Sequence, residues 1–304
     1  MLVTRKILVC LDGSEMDETL LSFASFVMQS SPAEEIYFMQ VIANLSEIAG
    51  LNLKKLDDEA LKTRQSEIEA LTKEKVEPGN AKVIAVVKKG HPFKEVLRFL
   101  ESKSIDVVIS GNKKKAKGSG VFNMRLARRA PCSLIVIPEN HSPSLTKLLI
   151  PIDFSLHSQL ALEYGVFISK SNDFKVEIIC QNVYQVPTGY HYSGKSFAEF
   201  GEIMKENSKK EYDAWVSEIN TENAPIKVEF TLDDKDDFGK AIRDVAMGEN
   251  VSGILVGAKG RTAASALFIG STAEKLIQAI DYLPLTIVRQ KGANASVLES
   301  LREL

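Results

Sequence analysis

Short apolar runs alternate with longer amphipathic stretches along this chain, and the whole alternation occurs twice. In the first half the apolar runs are Lys6–Asp12 (KILVCLD), Ile36–Ile42, Lys82–Val87, Asp106–Ser110 and Leu134–Ile137. In the second half they are Lys147–Asp153 (KLLIPID), Val176–Val183, Ile226–Leu232, Val251–Val256 and Leu285–Arg289. Runs of this length, bounded by turn residues, predict strands buried on both faces. Between them, Leu20–Met28, Leu56–Lys75, Phe93–Glu101 and a segment from Val121 predict helices. Their second-half counterparts are Ala161–Ile168, Phe197–Glu222, Phe238–Met247 and Thr272–Tyr282. In the last of these, Ala273, Leu276, Ile277 and Ile280 share one helical face. The order predicts an α/β fold: two tandem doubly wound domains, each a five-stranded parallel sheet flanked by helices.

The repeat is visible in individual residues. A shift of about 140 residues lays Lys6 on Lys147, Asp12 on Asp153, Ser14 on Ser155 and Gln40 on Gln181. The boundary falls in the polar, turn-rich segment Glu139–Ser144, giving domains at 1–140 and 145–292. The tail 293–304 is expected to form a small helix with Val297, Leu298 and Leu301 on its apolar side.

Composition narrows the class of protein. With 44% apolar and 26% charged residues over 304 positions, the chain reads as globular. A formal net charge of −2 gives no global reason to expect nucleic acid or an anionic membrane as partner. Cys10, Cys132 and Cys180 each lie in or beside a strand candidate, with no metal-ligand spacing, and read as free thiols in a reducing compartment. No apolar run near the N-terminus is long enough for a membrane span, so cytoplasm is the expected location.

Candidate chemistry concentrates at Val251–Arg289. After the strand come Gly257, Gly260 and Gly270, then Ser271 and Thr272 at a helix start. Ser271 is placed to cap that helix, with Glu274 three residues on completing a capping box. Small residues ahead of a helix N-terminus leave backbone N–H groups for an anion, and the helix dipole adds to the attraction. A flexible loop before a capped helix is the bland alternative. Asp12, Asp153 and the Gly257 loop all fall at strand carboxyl ends, where doubly wound sheets bind ligands.

These residues resemble the universal stress protein family in a tandem two-domain form. ATP-binding members of that family carry G-x2-G-x9-G-[ST], matched here by Gly257, Gly260, Gly270 and Ser271, and an aspartate ending the first strand, matched by Asp153 and Asp12. The resemblance covers nearly the whole chain. It implies a repeated Usp fold, of the adenine nucleotide alpha hydrolase-like kind, with ATP over the carboxyl edge of the second copy and Mg2+ as its accompanying cation. Asp153 would contact adenine, and a residue at Asn182 or Val183 would offer backbone to it. Gly257, Gly260, Gly270, Ser271 and Thr272 would hold ribose and phosphates. It also implies pairing of the two domains through their fifth strands, within one chain, and leaves homodimer formation through other faces open.

The first copy departs from this pattern. Lys114 stands where the second glycine belongs, and NKKKAKGSG shortens the loop. Lys113, Lys114, Lys115 and Lys117 could hold an anion with Arg125, Arg128 and Arg129, or be solvated loop residues.

A second motif competes. Gly189–Ser196 (GYHYSGKS) matches the G-x-x-x-x-G-K-[ST] phosphate loop. Five residues separate it from the strand before it, and only Asp233 and Asp234 offer a magnesium ligand after a later strand. The better reading is an insertion beside the crevice, from which Lys195 can reach toward a phosphate while the tyrosines pack on a ring or on the other domain. His91 in a turn and His141 in the linker read as surface residues; His157, at a helix start after Asp153, reads as surface or ligand-facing. No nucleophile elbow occurs, and no second substrate is implied. An ATP-binding sensor or regulatory module is therefore expected. An ATP-hydrolysing or nucleotide-transferring enzyme, or a binding protein for another ligand, is the alternative.

Overall fold

A computed structural model describes residues 4–29, 31–42, 54–113, 119–171, 175–221, 223–260 and 269–290. The expected tail helix lies outside them. The chain divides into two compact units between Pro143 and Ser144, and the second ends at Arg289.

The first unit runs β1 (Lys6–Leu11), α1 (Met16–Gln29), β2 (Glu35–Ile42), α2 (Lys54–Lys75), β3 (Lys82–Lys89), α3 (Pro92–Ser102), β4 (Val107–Asn112), α4 (Ser119–Arg129) and β5 (Ser133–Pro138). Its strands lie in the order β3-β2-β1-β4-β5, all parallel. Helices α1 and α2 cover one face and α3 and α4 the other. Ile7, Val9, Ile36, Phe38, Val107 and Ile109 meet Leu20, Leu21, Ala24 and Ile68 in the core of the first face. Burying a side chain of this size contributes roughly 1.5–3 kcal/mol each, before chain entropy is charged against it. On the opposite face Tyr37 meets Phe99 edge-on, with ring centroids 5.1 Å apart.

The second unit repeats the plan with β6 (Lys147–Pro151), α5 (Leu156–Ser171), β7 (Glu177–Tyr184), a 3-10 turn (Thr188–Ser193), α6 (Phe197–Ser217), β8 (Ile226–Leu232), α7 (Phe238–Gly248), β9 (Gly253–Gly257), α8 (Ser271–Ala279) and β10 (Leu285–Val288). The order is β8-β7-β6-β9-β10, again all parallel. Each unit is thus a five-stranded doubly wound sheet.

Several boundaries differ from the sequence reading. Helix α6 stops at Ser217, short of Glu222, with Glu218 as its C-cap. Helix α8 stops at Ala279 because Ile280 is extended, which still buries its side chain. Strand register corrects one alignment within the repeat. Leu11 pairs with Gln40, whereas Pro151 pairs with Gln181. The second unit therefore gains one residue between its first two strands, and Asn182, not Gln181, occupies the place of Gln40.

Candidate functional site

In each unit the chain leaves the first strand (β1 or β6) toward one edge and returns on its other side as β4 or β9. The strand order reverses there, and the carboxyl ends of those two strands are where doubly wound sheets bind ligands.

In the second unit Asp153 follows β6 by two residues. Its Oδ1 accepts from the Ser155 N–H at 3.1 Å. Ser155 Oγ in turn accepts from the Ser158 N–H at 3.2 Å and starts α5. Between them Phe154 holds φ at 62°, uncommon for a bulky residue, with its ring against Trp215 at 5.8 Å. The other carboxylate oxygen faces Gly260: a Cβ there would lie 2.8 Å from Asp153 Oδ2.

The three glycines serve close packing. A Cβ on Gly257 would stand 2.5 Å from the His157 carbonyl oxygen, so α5 begins directly against the end of β9. A Cβ on Gly270 would meet the Lys259–Gly260 backbone at 3.2 Å. The Gly270 N–H donates to the Ala258 carbonyl at 2.8 Å, so the two ends of the glycine loop lie together. The protein itself thus takes the space beside Gly260 and Gly270. Residues 261–268 lie outside the described ones.

Ser271 is the first helical residue of α8, not its cap. Gly270 takes the N-cap position and, among the described residues, no side chain caps the helix. A hydroxyl at the first helical position points away from the N–H groups it would need to reach, so the expected capping box does not form. Among the described residues, no side chain takes the first N–H groups of α8, at Ser271 and Thr272.

The structure adds two residues to this edge, Lys259 and Arg289, and brings His157 to it. Lys259 sits between the first two glycines. Arg289, only 3% exposed, directly follows β10. His157 is half-buried, with its Nδ1 inaccessible and without a hydrogen-bond partner. Burial, then the charges of Lys259 and Arg289, hold the His157 pKa below its ordinary value, against a smaller opposing pull from Asp153. Burial and the charge of Arg289 likewise lower Lys259. Asn182 is buried at the carboxyl end of β7, donating to the Ile152 carbonyl at 3.0 Å while its Oδ1 has no partner. Val183 is buried beside it, paired with Thr231 of β8.

The competing motif does not form a phosphate loop. Its middle is the 3-10 turn, Gly194 is left-handed (φ 72°), and Ser196 is the N-cap of α6. Ser196 Oγ accepts from the Glu199 N–H at 3.2 Å, and Glu199 Oε2 accepts from the Ser196 N–H at 2.8 Å. A carboxylate thus already occupies the helix start where an anion would sit. Tyr190 packs against Phe197 and Phe200 of the same segment. Lys195 is exposed, and among the described residues no hydrogen bond or ion pair ties its side chain to the glycine loop.

The first unit builds the same edge differently. Met16 stands in the place of His157 and covers Gly111, where a Cβ would meet Met16 Cγ at 2.5 Å. By strand register Pro138 takes the place of Arg289. Lys113 pairs with Asp12; burial raises the Asp12 pKa, but the hydrogen bonds from Lys113 and Ser14 outweigh it and hold the carboxyl below its usual range. Asp17, 4% exposed, accepts the N–H groups of Asp12 and Gly13 at 2.9 Å each. Burial pushes its pKa up. Of the suggested anion cluster, Lys113 pairs with Asp12 and Arg125 lies over the Phe93 ring at 5.9 Å, while Lys114, Lys115 and Lys117 lie outside the described residues. His141 is half-buried rather than a surface residue, 6.2 Å from the Phe23 ring, with its pKa lowered by burial.

The model of the universal stress protein family matches residues 4–138 and 145–289. Among solved structures, a universal stress protein from Archaeoglobus fulgidus DSM 4304 superposes with a TM-score of 0.65 at 18% identity, over 95% of this chain and 98% of that one. A protein of unknown function from Pseudomonas aeruginosa PAO1 superposes with a TM-score of 0.64 at 12% identity, over 100% of this chain and 99% of that one. Identities this low speak for the fold alone. No curated protein matches the sequence. With both units matched, the chain belongs to the universal stress protein family.

Proposed function

We propose that the second unit binds an adenine nucleotide, ATP, and that the protein is a cytoplasmic sensor or regulatory module of the stress response, its liganded state altering its shape or partners. The observation that carries this reading is the uncapped N-terminus of α8, packed against the glycine loop at the edge that also holds Lys259 and Arg289. Free N–H groups, a helix dipole and two cations favour a polyphosphate. The donor set suits the group at the base end as well. Asp153 and the unpartnered Asn182 Oδ1 are acceptors, and adenine presents an exocyclic amine. Bound ATP would bring Mg2+ on its own phosphates, and Lys195, on an exposed segment at the carboxyl edge of the same sheet, supplies a further charge.

Calorimetry of the full chain with ATP, ADP and AMP tests this, alongside mass spectrometry of nucleotides released from the purified protein. Tighter binding of ATP than of AMP is expected, with Lys259→Ala weakening ATP by roughly tenfold, the equivalent of one lost charge-assisted contact. Absence of binding by all three nucleotides overturns the reading.

A further inference from the structure

The edge of the first unit encloses a cavity of about 190 Å³. It lies beyond the carboxyl ends of β1 and β4, the place equivalent to the glycine-loop edge of the second unit, yet its walls are of another kind. Met16, Leu20, Met39, Val41, Val96 and Phe122 supply most of them. Cys10 joins them as a neutral thiol, pushed up to about 12 by burial. Among the described residues, the only charges on the lining are Asp12 and Lys113, which neutralise one another at the mouth, where the Asp12 side chain is 52% exposed. Among the described lining residues a polyphosphate would find no cation that is not already committed, and beyond the Asp12–Lys113 pair Ser110 supplies the one hydroxyl for a purine's ring nitrogens.

An apolar cavity of about 150 Å³ lined by aliphatic and aromatic side chains stays dry and accepts benzene or xenon. Two methionines in the wall add adaptability, since their thioethers shift to fit irregular shapes. We propose that the first unit binds a small apolar molecule, a single aromatic ring or a branched chain of about six carbons, with at most one polar substituent directed at the Asp12–Lys113 pair. The two units of the chain then take chemically different ligands at equivalent places, and this inference stands whether or not the second unit takes ATP.

The test uses toluene and indole as probes on the full chain carrying 13C-methyl methionine. Addition of either probe is expected to shift the Met16 and Met39 methyl signals and leave Met204 and Met247 unmoved. Val96→Phe and Val41→Phe, which fill the cavity, should each weaken the probe by roughly tenfold or more. Excess ATP should not displace it. Unmoved Met16 and Met39 signals with both probes overturn the proposal on the unaltered protein, whatever the variants do. Displacement by ATP or adenosine overturns it by making this a nucleotide site. Equal affinity in two folded filled variants overturns it by placing the probe elsewhere.

Discussion

Gly260 and Asp153 face each other so closely that a methyl on residue 260 would lie 2.8 Å from the aspartate's Oδ2. The aspartate cannot swing away freely, because its other oxygen holds the Ser155 N–H. Gly260→Ala should therefore destabilise the second unit by about 1–3 kcal/mol, the usual range for overpacking. Most of that cost should vanish when Asp153→Ala is present in the same chain. Urea unfolding of the two single variants and the double variant measures the coupling. Additive effects would show that the two side chains do not meet. Both single variants should also weaken ATP, one by reshaping the loop and the other by removing an acceptor.

Gly257 makes a different kind of approach. Its neighbour is the carbonyl of His157, in the first turn of α5, so accommodating a methyl requires a helix to move rather than a side chain. Gly257→Ala is expected to cost more than Gly260→Ala, at or above about 3 kcal/mol. Asp153→Ala should give no relief. A shift in urea midpoint smaller than that of Gly260→Ala would contradict the packing described.

The fold was legible because strands buried on both faces read as continuous apolar runs, and because every element is written twice. Asp153 and the glycines were legible from their places at strand ends. The role of Ser271 was not: a hydroxyl beside a helical pattern looks like a cap, and only backbone geometry shows that Gly270 holds that position. Lys259 and Arg289 were missed, and His157 was left between a surface and a ligand-facing role, for a topological reason. They come from the start of α5, the exit of β9 and the exit of β10, and only the folded sheet brings their charges together. The signal that could have found them is positional, since each falls within six residues of a strand's carboxyl end. The Gln40–Gln181 match misled because identity at a fixed offset hides the residue gained between β6 and β7.

The charges around His157 predict a pH response. Its folded pKa is below the ordinary value of about 6.5, so in the window between the two the unfolded chain binds more protons than the folded one. Stability should be flat with respect to this group above that window and fall as pH drops through it. Lys259→Ala should raise the His157 midpoint by removing a positive neighbour. Saturating ATP should raise it as well, because phosphate charge offsets Lys259 and Arg289. NMR titration of the imidazole signals reads all three states. An unmoved midpoint in both the variant and the ATP complex would remove these cations from the phosphate site.

Ser196 separates the two glycine motifs experimentally. As the N-cap of α6 it satisfies the Glu199 N–H, and Ser196→Ala should cost about 1 kcal/mol of stability, within the usual capping range of 0.5–2. It should leave ATP affinity unchanged. In a phosphate loop the same hydroxyl would sit on Mg2+, and its removal would abolish Mg2+-dependent binding. Lys195→Ala is expected to weaken ATP only a few-fold, and less at high salt, because an exposed ammonium acts across screened solvent. Saturable ATP turnover in the unaltered protein, lost in Lys195→Ala and Ser196→Ala alike, would instead make this segment the catalytic one. The Ser196–Glu199 pairing argues against that outcome, since a carboxylate already fills the place of the phosphate.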